Sequence, residues 1–149
     1  MADRFVPIRF LGPDGTPASP TDASAVPVID VVLHPPKGEP GESIPAIALI
    51  DTGCDYGCVV DTVLDRVTGR HVRDIDLGGV AGRNDSVARD CTIELIFNDG
   101  SRVLCGADVV RVGAMRNSPY TVIIGRALLG QGCLVMDRFR GVYRFTIEP

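Results

Sequence analysis

An apolar run, Ala48-Leu49-Ile50, delivers a carboxylate, a hydroxyl and a glycine in consecutive positions: Asp51, Thr52 and Gly53. That order suits the chemistry of a desolvated carboxylate. Apolar flanks strip water from Asp51, Thr52 can hydrogen-bond across an interface, and Gly53 lets backbone approach the carboxylate closely. Taken alone, Asp-Thr-Gly reads as a surface turn. The apolar lead-in changes that, because a turn has no need of one. Two further stretches stand out. Thr121-Val122-Ile123-Ile124-Gly125-Arg126-Ala127-Leu128-Leu129 reads as a buried strand followed by a helix, and Leu77-Gly78-Gly79-Val80-Ala81-Gly82 as a flexible hairpin turn. Each is weak alone; the order and spacing of the three are specific.

Other reactive side chains carry less. Five cysteines (Cys54, Cys58, Cys91, Cys105, Cys133) cannot all pair within one chain, and without a secretory signal they are expected as reduced thiols. Cys54 and Cys58 have a spacing a metal site could use, but no second pair matches them and His34 and His71 lie far away, so no metal is expected. Cys54 is read as a small residue in an alanine-sized slot rather than a redox switch, because no Lys, Arg or His adjoins it in sequence to activate a thiolate. Asp61, Asp65 and Asp85 are expected at the surface, since none has a lead-in like that of Asp51. Arg138, Arg140 and Arg144 are expected on a solvated hairpin face.

The elements that must position these residues are mostly strands: apolar positions recur with period two, in short runs punctuated by Gly and Pro. Strands are predicted over Phe5 to Leu11, Val26 to Leu33, Ile44 to Ile50, Cys58 to Val60, Val72 to Leu77, Ser86 to Phe97, Val103 to Cys105, Thr121 to Ile124, Leu134 to Met136 and Val142 to Ile147. Gly12 to Ala25 reads as a loop or mobile arm, Asn98-Asp99-Gly100 as a tight turn, Asp61 to Val67 as a turn or two of helix, and Arg126 to Leu129 as a short helix closed by Gly130. The expectation is one all-β domain over 1–149, with an N-terminal strand and Pro-rich arm over 1–25 and a core over 26–149.

The 149 residues are 45% hydrophobic and 23% charged, with a net charge of −4. This composition excludes whole-chain disorder and leaves room for a real core. The acidic balance argues against a nucleic-acid partner, and no apolar run approaches the length of a membrane span. The N-terminus lacks the basic-then-apolar order of a secretory signal, so a cytoplasmic location is expected. Of fifteen basic residues only Lys37 is a lysine, the usage a GC-rich bacterial genome would produce.

Ile50-Asp51-Thr52-Gly53-Cys54-Asp55 resembles the active-site loop of the retroviral-type aspartic proteases, the retropepsins, with Cys54 where that family commonly has Ala. Leu77-Gly78-Gly79-Val80-Ala81-Gly82 looks like the tip of their flap. Pro119 to Leu129 is similar to their late strand and Gly-Arg-x-Leu-Leu helix, and Gln131 and Cys133 echo residues beyond it. The likeness covers roughly Val26 to Val135 and suggests a single-lobe, bacterial-type member. Met1 to Ala25 has no clear counterpart, and the Asp137 to Phe145 hairpin is more like the end of a pepsin-like lobe.

The resemblance implies a half-barrel lobe with a flap hairpin and one short C-terminal helix, paired into a two-fold homodimer. It implies an aspartic endopeptidase acting on a peptide or protein substrate without metal or cofactor, its two catalytic carboxylates supplied by Asp51 of each subunit. Thr52 and Gly53 would complete the catalytic loop, with Thr52 bracing it across the dimer axis. Asp55 would contact substrate backbone, and Gly78, Gly79 and Val80 would close over the peptide. Arg126 would pair with Asp55; without the resemblance it reads as a solvated helix arginine. The alternative is a non-catalytic peptide-binding or dimerisation module of the same fold. A third reading makes the chain part of a polyprotein, with Gly12 to Ala25 as a spacer.

Overall fold

The structure is a computed structural model and describes residues 3–67, 71–79 and 82–148, with side chains for 3–67 and 88–148. It is all-β apart from two short helices. The strands are β1 (Val6–Pro7), β2 (Arg9–Leu11), β3 (Val26–His34), β4 (Ile44–Ile50), β5 (Gly57–Val60), β6 (His71–Gly79), β7 (Gly82–Ile96), β8 (Arg102–Val112), β9 (Val122–Ile124), β10 (Gly132–Asp137) and β11 (Val142–Ile147). Helix α1 spans Asp61–Val67 and α2 spans Arg126–Leu129.

Eight strands form one sheet in the order β2-β3-β4-β9-β5-β8-β7-β6, and β7 also pairs with β3. That extra pairing closes a barrel. The long strand β7 shares one edge between two partners: residues up to Arg89 pair with β6, and Thr92 to Leu95 pair with β3. Among the described residues this leaves β2 and β6 as the strands of this sheet with a single partner strand each. The barrel interior is filled by Ile29, Val31, Leu33, Ile93, Leu95, Val122 and Ile124, all essentially inaccessible to solvent. These are the β-branched and long aliphatic residues that pack best on a pleated surface. Helix α1 adds Leu64 and Val67 to the same core.

Strand β9 lies between β4 and β5, parallel to β4 (Ile50↔Ile124) and antiparallel to β5 (Cys58↔Ile123). Residues 51–56 join β4 to β5 and must therefore arch over the end of β9. The loop that carries Asp51 is thus held by three strands.

Several expectations change. The predicted strand Phe5 to Leu11 is two strands: β1 pairs with β11 in a separate sheet ordered β1-β11-β10, and β2 pairs with β3 in the barrel. Pro7, which has no N–H to donate, marks the crossing point. The predicted Val103 to Cys105 strand runs from Arg102 to Val112, because Gly106, Asp108 and Arg111 interrupt the apolar pattern without interrupting the ladder. Gly12 to Ala25 is a series of hydrogen-bonded turns in which Asp14 and Asp22 accept from Thr16 and Ser24. The Asn98-Asp99-Gly100 turn forms as read, with Asp99 accepting from the Ser101 N–H at 2.9 Å.

Arg144 is only partly solvated, unlike exposed Arg138 and Arg140: it pairs with Asp3 at 3.3 Å, lies over the Phe5 ring, and has a buried Nε. Two charged residues are buried among those described, Glu94 and Asp61. Glu94 is compensated by His34 at 2.5 Å and by Arg102. Among the described residues, no helix is long and apolar enough to cross a membrane.

Candidate active site

The carboxylate of Asp51 emerges where β4 ends. Ala48 and Ile50 are buried, whereas Asp51 is half-buried and Thr52 and Gly53 are exposed. The desolvation expected of Asp51 is therefore partial within one chain: the apolar lead-in brings the carboxylate to the surface without covering it. Its backbone N–H donates to the Ile124 carbonyl at 3.0 Å, and its own carbonyl accepts from the Cys54 N–H at 3.2 Å. Oδ1 accepts from the Gly53 N–H at 2.9 Å. A Cβ on residue 53 would lie 3.1 Å from that oxygen, so glycine leaves the carboxylate room to take this bond.

The rest of the loop is stitched to the start of α2. The Arg126 N–H donates to the Cys54 carbonyl at 2.8 Å and the Ala127 N–H to the Asp55 carbonyl at 3.0 Å. Such close backbone contact requires glycine at position 125, where a Cβ would sit 2.2 Å from the Tyr56 oxygen and 2.5 Å from that of Cys54. The Arg126 guanidinium forms an ion pair with Asp55 and also reaches the Thr52 carbonyl at 3.3 Å. Asp51, Thr52, Gly53, Asp55 and Arg126 thus form one loop–helix unit. Gly78 and Gly79 lie outside it, at the end of the β6–β7 hairpin, where Gly78 pairs with Arg83 and Gly79 with Gly82. Val80 lies outside the described residues.

A second, smaller apolar cluster lies against this loop. Cys58, Val60, Val110 and Met115 are buried in it, with Cys54, Tyr56, Tyr120 and Ile123 packed around them. Within it the Cys54 thiol donates to the Tyr56 carbonyl at 2.7 Å, and the Cys54 and Cys58 sulfurs are 4.0 Å apart. Cys54 therefore has reactive neighbours that adjacency in sequence did not show: Cys58 four residues on, and Arg126 brought in by α2. Its thiol falls to about 7, lowered mainly by the hydrogen bond with Cys58 and further by Arg126, against burial and Asp51.

Asp61 overturns a sequence expectation. It is buried, because β5 feeds straight into α1 and places the first helical residue against β8. Arg116 forks onto its carboxylate, with Nε at 2.9 Å from Oδ1. Arg111 approaches at 3.9 Å, and the Thr62 N–H donates at 2.7 Å. These contacts hold its carboxyl down at about 2, the Arg116 hydrogen bond outweighing burial. No sequence signal pairs residues 61 and 116; only the return of the chain along β8 does.

A cavity of about 450 Å³ lies behind the loop, lined by Tyr56, Gly57, Asp108, Gly125, Leu128 and Gln131 among others, and Asp51 does not line it. Asp51 is instead half-buried at the end of β4.

No family model and no curated protein matches the sequence. Among solved structures, EIAV protease complexed with the inhibitor HBY-793 superposes with a TM-score of 0.52 and 21% identity, covering 77% of this chain and 97% of that one. The chain has the retroviral-protease fold. The solution structure of simian foamy virus (mac) protease matches at a TM-score of 0.42 and 18% identity, over 67% of this chain and 88% of that one. In this fold β4, β9, β5 and α2 form the frame around Asp51, and the β10–β11 hairpin follows α2.

Proposed function

We propose that the protein is an aspartic endopeptidase that works as a homodimer, with Asp51 of each copy facing the other across a two-fold axis. The observation that carries this reading is the placement of Asp51: a partly exposed carboxylate in a fixed backbone frame, with no cation paired to it among the described residues. Peptide hydrolysis by carboxylates needs two of them sharing one proton. Asp55, in the same loop, and buried Asp61, beyond β5, are each committed to an arginine. The second carboxylate then comes from a second copy, whose docking also supplies the desolvation that one chain leaves incomplete.

In this mechanism one ionised Asp51 takes a proton from the attacking water, and the protonated partner donates to the scissile carbonyl oxygen. The tetrahedral intermediate collapses as a proton passes to the leaving amine. Exposed Thr52 braces the two loops across the axis. Asp55, fixed by Arg126, meets the substrate backbone. Gly78, Gly79 and Val80 close over a peptide bound as an extended strand, where its backbone groups find partners.

Digestion of a diverse peptide library between about pH 4 and pH 7, read by mass spectrometry beside the near-isosteric Asp51→Asn variant, tests the assignment. Cleavage by the wild type that is lost in the variant is the expected result. Cleavage that persists in the variant overturns it, and a confirmed dimer without cleavage in either favours the binding-module reading.

A further inference from the structure

We propose that Cys54 and Cys58 form a redox-active dithiol that closes to a disulfide beside Asp51 when the protein meets hydrogen peroxide. The two sulfurs are already 4.0 Å apart, in a cluster the proposed hydrolysis does not use. Their exposures differ in the way a reacting and a resolving thiol require: Cys54 is half-buried, Cys58 is buried behind it. The remaining cysteines lack this arrangement. Cys91 and Cys105 are in the main core, where burial pushes both thiols up, Cys91 to about 12, and Cys133 is exposed on β10. The depressed Cys54 thiol agrees with its role as the group that reacts first.

The chemistry balances with peroxide as the only added reagent. The Cys54 thiolate attacks one peroxide oxygen, the O–O bond breaks, and the departing oxygen leaves as water after taking up the thiol's proton. This gives a sulfenic acid on Cys54. The Cys58 sulfur then attacks the Cys54 sulfur, forming the S–S bond, and the hydroxyl leaves as a second water with the Cys58 proton. Both sulfurs are oxidised by one electron each and the peroxide is reduced by two. A dithiol reductant reverses the closure by exchange.

Closure requires the sulfurs to approach from 4.0 Å to a bond of about 2.05 Å. Cys54 then gives up its hydrogen bond to the Tyr56 carbonyl and draws its own backbone toward β5. That backbone accepts the Arg126 N–H and donates to the Asp51 carbonyl, so the displacement reaches the residue at the centre of the proposed site. The expected consequence is reversible loss of peptide cleavage; this consequence, unlike the dithiol itself, rests on the protease reading.

The test treats the full-length protein with hydrogen peroxide, blocks free thiols with N-ethylmaleimide and digests it with trypsin without reduction. Cleavage after Lys37 and Arg66 puts both cysteines in one peptide, residues 38–66. That peptide is expected to lose two hydrogens and take up no maleimide, and to take up two after dithiothreitol. In Cys58→Ala, Cys54 is expected to stop at the sulfenic acid and be captured by dimedone; in Cys54→Ala, Cys58 keeps its maleimide. Full alkylation of both thiols after a treatment that oxidises Cys133 overturns the proposal. So does accumulation of the Cys54 sulfenic acid in the wild type without the disulfide. A protein that cleaves no peptide before oxidation contradicts the protease reading alone, since the peptide masses still report the dithiol.

Discussion

Two aspartates flank β5 in the chain, Asp51 at the end of β4 and Asp61 at the start of α1, and their surroundings are opposite in character. Asp51 is half-exposed, and its carboxylate accepts from a backbone N–H with no cation paired to it among the described residues. Asp61 is buried, forked by Arg116, approached by Arg111 and capped by the Thr62 N–H. Burial alone would mark Asp61 as the residue with the unusual role, yet its charge is fully compensated and held in the ionised form. Among the described residues Asp51 has no cation beside it, and the proposed proton transfer uses that vacancy. A site that takes up and releases protons needs an acid whose environment is unfinished, and a structural anchor needs one whose partners are complete.

The largest way to break this contrast is at the frame of Asp51. Gly125→Ala forces a Cβ to 2.2 Å from the Tyr56 carbonyl oxygen and 2.5 Å from that of Cys54, and neither is a flexible side-chain end. We expect a loss of about 3 kcal/mol or more, read from denaturant midpoints, with proteolysis lost as well. Asp61→Asn comes next. It leaves Arg116 and Arg111 facing a neutral amide, so a clear fall in melting temperature is expected, with part of it recovered by Arg116→Met in the same chain. Asp51→Asn, by contrast, should leave the melting temperature of the monomeric chain nearly unchanged.

Acid separates the same two aspartates without mutation. The folded Asp61 carboxyl sits at about 2 against an ordinary 3.8, so its contribution is complete above about pH 4 and is lost as pH falls toward 2. The Asp61→Asn variant should lose less stability over that interval than the wild type, measured by urea unfolding at each pH. Equal losses would show that Asp61 is not the anchor described. The smallest effect is expected from Arg126→Gln. Arg126 and Asp55 are both exposed, so stability should change by less than about 1 kcal/mol. Peptide turnover should fall by more than that stability change explains, because Asp55 and the Thr52 carbonyl lose their common partner.

What was legible in the sequence was local. The Ile44 to Ile50 strand running into Asp51, the helix at Arg126 to Leu129 and the turn at Asn98 all follow from apolar spacing and from residues with strong turn or breaker chemistry, and each lies where it was read. The likeness of the Asp51, Gly78 and Gly125 stretches to retropepsins also pointed to the fold that the superposition shows. Contacts made between distant segments were not legible. The Asp61–Arg116 pair spans 55 positions, and the placement of Arg126 near Cys54 depends on β9 lying between β4 and β5. The split of the first strand was hidden for the same reason, because a period-two pattern reports which face is buried and not which sheet receives it. Partial exposure of Asp51 was missed because an apolar lead-in fixes where a strand packs, while the residue that ends it is covered only by what docks there.

The proposed site needs two Asp51 carboxylates, one from each of two chains. The most direct measurement co-refolds wild-type protein with increasing proportions of Asp51→Asn subunits at constant total concentration and follows cleavage of a peptide selected from the library. Random pairing into dimers predicts that activity falls as the square of the wild-type fraction. A fall in simple proportion to that fraction would show each chain acting alone, and would contradict the shared site.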